Sequence, residues 1–179
     1  MSVAPATLSS GASHSAVSPR AAAVPYRVEV GLKRDMPDPE GARALSLLRA
    51  AGLSAVKEVR SAKIYSVRGP LTLSHVHQAA KELLCDAVTE EYKILSPQAP
   101  PSAARRTRVE VWLRPEVSDP AEDSILLAFE CAGLPKPAAA RQGAVYYVEG
   151  RVAQAALEKA FARWLANPLI CRLSAAPSA

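Results

Sequence analysis

Three histidines, three cysteines and two adjacent pairs of acids are the residues of this 179-residue chain whose types lend themselves to chemistry. His14 lies near the start, while His75 and His77 stand two apart in a segment with helical apolar spacing. Two positions apart, ligands share a side only on an extended backbone. No acid or thiol stands at a ligating distance along the chain, so both read as solvent-exposed side chains. Cys85, Cys131 and Cys171 are odd in number and form no C-x-x-C, which argues for reduced thiols in a cytoplasmic protein and against a disulfide framework or zinc knuckle. With no histidine beyond His77, a Ser-His or Cys-His nucleophile has little material. Glu90-Glu91 and Glu122-Asp123 are side by side, as on a solvated face. Neither G-x-x-x-x-G-K-[ST] nor a glycine-rich dinucleotide fingerprint occurs. The sequence therefore indicates no catalytic, cofactor-binding or metal-ligating residue, and no cofactor is expected.

The elements that would position any site follow from composition and repetition. Hydrophobic residues make up 49%, charged residues 22% and aromatics 5%, which suits one medium domain or two small ones. No apolar run approaches the ~20 residues of a membrane span. The formal charge of +5 invites a nucleic-acid reading, but it is spread thinly. Residues 26–94 carry eleven Lys/Arg against nine acids, residues 107–173 balance eight against eight, and between them stand two adjacent arginines, Arg105-Arg106, so no segment is a basic block. Phosphate tracking needs clustered cations and stacking aromatics, so neither nucleic acid nor membrane is expected as a partner.

Residues 1–25 are rich in Ala, Ser and Pro and read as a disordered tail; the Pro-rich 96–106 reads as a semi-stiff linker. Residues 175–179 are expected to fray. Between these, residues 27–92 align without a gap onto 108–173 at an offset of 81, with 17 of 66 positions identical. The identities include R-V-E-V from Arg27 and Arg108, Asp38-Pro39 with Asp119-Pro120, and Ala51-Gly52-Leu53 with Ala132-Gly133-Leu134. Two copies of one fold are inferred, spanning 26–95 and 107–174.

Each copy opens on strict alternation, Val28, Val30 and Leu32 or Val109, Val111 and Leu113, the period of a half-buried strand. Asp38-Pro39-Glu40 and Asp119-Pro120 supply a cap and a preset first turn for a helix that stops at Gly52 or Gly133. Segments 56–60 and 63–67 then read as two short, tightly joined strands; in the second copy Pro135 and Pro137 predict an edge or irregular strand. A second helix follows, with Val76, Ala80, Leu83 and Leu84 matched by Leu157, Phe161, Trp164 and Leu165. Short strands at 91–95 and 169–173 close the copies. The order predicts an α+β fold: two β-α-β-β-α-β, ferredoxin-like repeats, each an antiparallel four-stranded sheet with two helices on one face. A unit of ~70 residues is marginal alone, so its bare sheet face is expected to pair with the sister copy as a pseudo-dimer.

The run Y-R-V-E-V-G-L-K-R-D-M-P-D-P-E-G from Tyr26 to Gly41, followed by L-R-A-A-G-L and V-R-S-A-K, resembles the PurS subunit of phosphoribosylformylglycinamidine (FGAM) synthase. The second copy resembles it too, through L-R-P-E-V-S-D-P and the L-A-N-P-L-I of Leu165 to Ile170. The resemblance implies a small noncatalytic subunit of a glutamine-dependent ligase in purine synthesis. It would bridge a glutaminase (PurQ-type) and an ATP-dependent synthetase (PurL-type) and assist ammonia transfer between them. Members of that family usually hold one copy and self-associate, so a homo-oligomer is a further expectation. The first copy departs from the pattern at Ala62 and Asp86-Ala87, the second at Ala144. Arg60, Lys63, Arg141, Asn167 and Pro168, with the outward ring of Trp112, are the expected contact residues. The alternative reading is a ferredoxin-like regulatory module that binds a small metabolite between its repeats.

Overall fold

The computed structural model describes residues 24–95 and 106–177, so the expectations for most of the tail and linker lie outside the described residues. Strand β1 (Tyr26–Leu32) leads to helix α1 (Pro39–Ala50), strand β2 (Val56–Arg68), helix α2 (Leu73–Ala79) with a wider π turn over Ala80–Leu84, and strand β3 (Glu90–Leu95). The second half repeats the order as β4 (Arg106–Leu113), α3 (Glu122–Cys131), β5 (Ala139–Gly150), α4 (Gln154–Trp164) and β6 (Cys171–Pro177).

The six strands form one antiparallel sheet, in the order β3-β1-β2-β5-β4-β6, rather than two four-stranded sheets. The segment read as two short strands is the single 13-residue β2. Ser61-Ala62, at the supposed turn, offers no Gly, Pro or Asn to reverse the chain, and Val59, Tyr65 and Val67 keep one alternating register on the helix side. In the second half Pro135 and Pro137 precede the strand instead of interrupting it, and β5 is central, not an edge. Strands β2 and β5 pair from Val56↔Gly150 to Arg68↔Ala139, closing the edges that would otherwise be left exposed.

Local chemistry sets the helix ends. The Asp38 side chain accepts the Gly41 amide at 2.8 Å, and Pro39 begins α1. Asp119 instead accepts the Ala121 amide, and α3 starts later, at Glu122, without a side-chain cap. Gly52 and Gly133 take φ of 91° and 68° just past their helices, and the amides of Leu53 and Leu134 reach back to Leu48 and Phe129, as the expected C-caps require. Residues 175–177, expected to fray, belong to β6.

All four helices cover one face of the sheet, and each of the two cores beneath them draws on both halves. Val28, Val30 and Val67 pack with Val76 of α2 and with Ile125 and Phe129 of α3. Ala44 and Leu48 of α1 pack with Val56 and Val59, and also with Tyr146, Leu157 and Phe161. The sister half thus joins edge to edge and shares helices. It does not cover the bare sheet face, which no described element crosses.

Candidate functional site

Alternation that buries Val28 and Val30 under the helices turns Arg27 and Glu29 to the opposite face; Arg108 and Glu110 follow the same rule in β4. Strands β1 and β4 are separated by β2 and β5, and the long arginines reach across both. Arg27 bonds Glu110, and Arg108 donates to Glu29 at 2.9 Å, so the repeated R-V-E-V motif links each half to the other. Beneath these side chains Ile64 and Val145 have no exposed surface and cluster with the nearly buried Trp112.

Glu29 is 4% exposed and also accepts Tyr147 Oη at 2.6 Å and Lys93 Nζ at 2.8 Å. Burial pushes its carboxyl upward, but hydrogen bonds from Lys93, Tyr147 and Arg108 outweigh that and hold it below its ordinary value of 4.5. Glu110 binds Arg108 and Arg27 and accepts Trp112 Nε1 at 2.7 Å.

The expected contact residues are dispersed. Arg60 donates to the carbonyls of Leu32, Lys33 and Met36, and Arg141 to those of Arg114 and Val117, so both guanidinium groups fasten the loop after the first strand of their half. Trp112 is 8% exposed and lies over Gly143, where a Cβ would meet the ring at 2.8 Å. Glycine is therefore required at 143, whereas Ala62 faces Gly31 at the equivalent place and is accommodated.

Lys63 lies on the helix side and pairs across the sheet with Ala144, its own counterpart at the 81-residue offset. Lysines at both positions would face each other directly, an unfavourable arrangement of like charges. The single lysine is neutralised by Glu90 at 2.9 Å, a bond that raises its pKa, and Glu90 corresponds to Cys171 in the second half. Asn167 and Pro168 form an exposed turn: Asn167 Oδ1 accepts the Leu169 amide at 3.0 Å, and the Pro168 carbonyl accepts Arg114. Asp86 makes the same turn in the first half, bonding the Val88 amide at 2.8 Å, with Lys33 on the carbonyls of Ala87 and Val88. The departure Asp86-Ala87 thus preserves the geometry.

His75 accepts the Thr72 amide in a capping box, and His77 stands 3.5 Å from Tyr92 Oη. Among the described residues no three His, Cys, Asp or Glu cluster to hold a metal ion, and no helix is long and apolar enough to cross a membrane. Sequence reading missed the Arg27–Glu110 and Arg108–Glu29 exchange and Arg172. The signal for the exchange was present in R-V-E-V itself, an Arg and a Glu two apart on one strand face, twice.

Fold and surface define an α+β protein whose helices cover one side of a six-stranded antiparallel sheet and whose other side carries a lattice of charge. Residues 25–98 match the family model described as PurS: Phosphoribosylformylglycinamidine (FGAM) synthase, and this span is a PurS-like domain. The description of that model names FGAM synthase, an enzyme of purine biosynthesis. No curated protein matches the chain.

Proposed function

We propose that the chain is a noncatalytic accessory subunit of FGAM synthase that bridges the glutaminase and the ATP-dependent synthetase and assists the passage of ammonia between them. The observation that carries this reading is the family match over residues 25–98. The second half is read as a further copy of the same unit, the two pairing as a pseudo-dimer within one chain. That reading draws support from the recurrence of the element order and of individual bonds at the 81-residue offset, Arg27–Glu110 with Arg108–Glu29 above all. Arg60, Lys63, Trp112, Arg141, Asn167 and Pro168 are proposed to lie at or beside the contact surfaces. Tagged protein purified from its host is expected to bring down the synthetase and glutaminase subunits, and loss of the protein to impose a purine requirement. Recovery of neither subunit, with growth unaffected, overturns the reading.

One feature favours a second reading, that of a regulatory module. A cavity of about 280 Å³ between the halves sets Lys63, Glu90 and Tyr146 among Val30, Leu32, Pro39 and Ala144, a mainly apolar lining with a few polar groups, the usual make-up of a small-molecule site. A thermal shift induced by purine-pathway metabolites or amino acids, and lost in Lys63→Ala, would support it; the absence of any such shift would remove it.

A further inference from the structure

Two depressions flank the Arg–Glu lattice on the open face and correspond to each other at the 81-residue offset, yet their chemistry has diverged. The first, about 500 Å³, places Glu91 and Lys93 of β3 beside Glu29, Arg60 and Tyr147. The second, about 510 Å³, is lined by Arg27, Ser66, Trp112, Arg141 and Arg172, with Glu110 as its only acid. Arg172 occupies the position of Glu91, and Ser174 that of Lys93, so a mixed-charge rim has become a cationic one.

The acid in the second depression is already engaged. Glu110 is shared by Arg27, Arg108 and the Trp112 indole, Arg141 is fixed on loop carbonyls, and the exposed Arg172 makes no ion pair among the described residues. Burial, and after it the neighbouring Arg108, hold the Arg27 guanidinium below its ordinary value, offset only in part by Glu29. Two copies of the chain stacked with these depressions face to face would oppose like charges. A carboxylate, by contrast, would find two arginines on the rim, two serine hydroxyls and an indole floor.

We propose that the depression between β1 and β6 receives an acidic segment of a partner protein, an Asp or Glu side chain engaging Arg172 and Arg27 above Trp112. The proposal rests on the accessory-subunit reading, which supplies two candidate partners, and it places the docking site on the second half's divergent rim.

Binding of the full chain to each purified partner subunit, measured at low and high salt, tests it. Wild-type binding should weaken as salt rises, and Arg172→Glu should weaken it about tenfold or more at low salt. Arg151→Glu, an equal charge reversal on an exposed turn remote from the depression, should change it less than about threefold. Arg172 is exposed on an edge strand, and unchanged circular dichroism and melting temperature would show that the variant folds. Wild-type binding with Arg172→Glu no weaker than Arg151→Glu overturns the proposal and leaves the accessory-subunit reading standing. Binding of wild type to neither subunit overturns both. Self-association or phosphate binding that is lost in Arg172→Glu while partner binding persists assigns the depression to a second copy or a small anion, and likewise overturns it.

Discussion

Phe161→Ala should lower the unfolding free energy by about 3–5 kcal/mol, the usual cost of emptying a buried aromatic site. Phe161 lies on α4 with no exposed surface, its ring set edge-on to Tyr146 at 5.2 Å between centroids. Its cluster includes Ala44 and Leu48 of α1 and Val56 and Val59 of β2, all in the first half. The loss should therefore reach across the chain. Hydrogen exchange at the amides of α1 is expected to speed up together with that of α4, in one cooperative transition. Denaturant unfolding gives the magnitude and exchange gives the reach; faster exchange confined to residues 106–177 would contradict the shared core.

Glu29→Ala is expected to cost about 3 kcal/mol, since it leaves Arg108 partly buried beside Arg27 with one acid between them. Lys93 is half exposed and water can serve it, which keeps the effect at the low end for a buried network. The same group dictates a pH dependence. Its carboxyl titrates lower in the folded than in the unfolded chain, so its contribution is complete above the ordinary value of 4.5 and disappears as pH falls through the folded-state value. Melting temperature measured from pH 7 down to pH 3 should fall more steeply for the wild type than for Glu29→Ala. Parallel curves would show that Glu29 does not gain its charge stabilisation on folding.

The strand alternation of β1 and β4, the Asp38 cap and the glycine stops at Gly52 and Gly133 were all legible in the sequence, because each depends on residues within one turn or one strand. Strand β2 was not. Its helix face carries Ser61 and Lys63 between Val59 and Tyr65, and that polar interruption resembles a turn until Ala144 and Glu90 appear as the neighbours of Lys63. The shared sheet escaped for the same reason: nothing within residues 56–68 states that the strand on one side comes from residues 139–150. Helix α3 was placed too early because Asp119 stands where Asp38 does and likewise holds the strand amide opposite it, Gln142 for Ser61, but its Oδ1 accepts the Ala121 amide, where Asp38 Oδ1 accepts that of Gly41.

At the candidate site, Trp112 was legible as a large side chain on the sheet face opposite Val111 and Leu113. That it is covered rather than presented follows from Gly143, which removes the side chain that would hold the ring away. Arg172 carried no sequence signal by itself. It becomes informative only beside its counterpart Glu91, when both are seen on corresponding rims of one sheet face.

Reconstitution of FGAM synthesis from purified synthetase and glutaminase, with and without this chain, tests the functional account most directly. The account predicts that glutamine-dependent product formation requires the chain, while synthesis from added ammonia proceeds without it. Glutamine-dependent synthesis at the same rate in its absence would contradict the account.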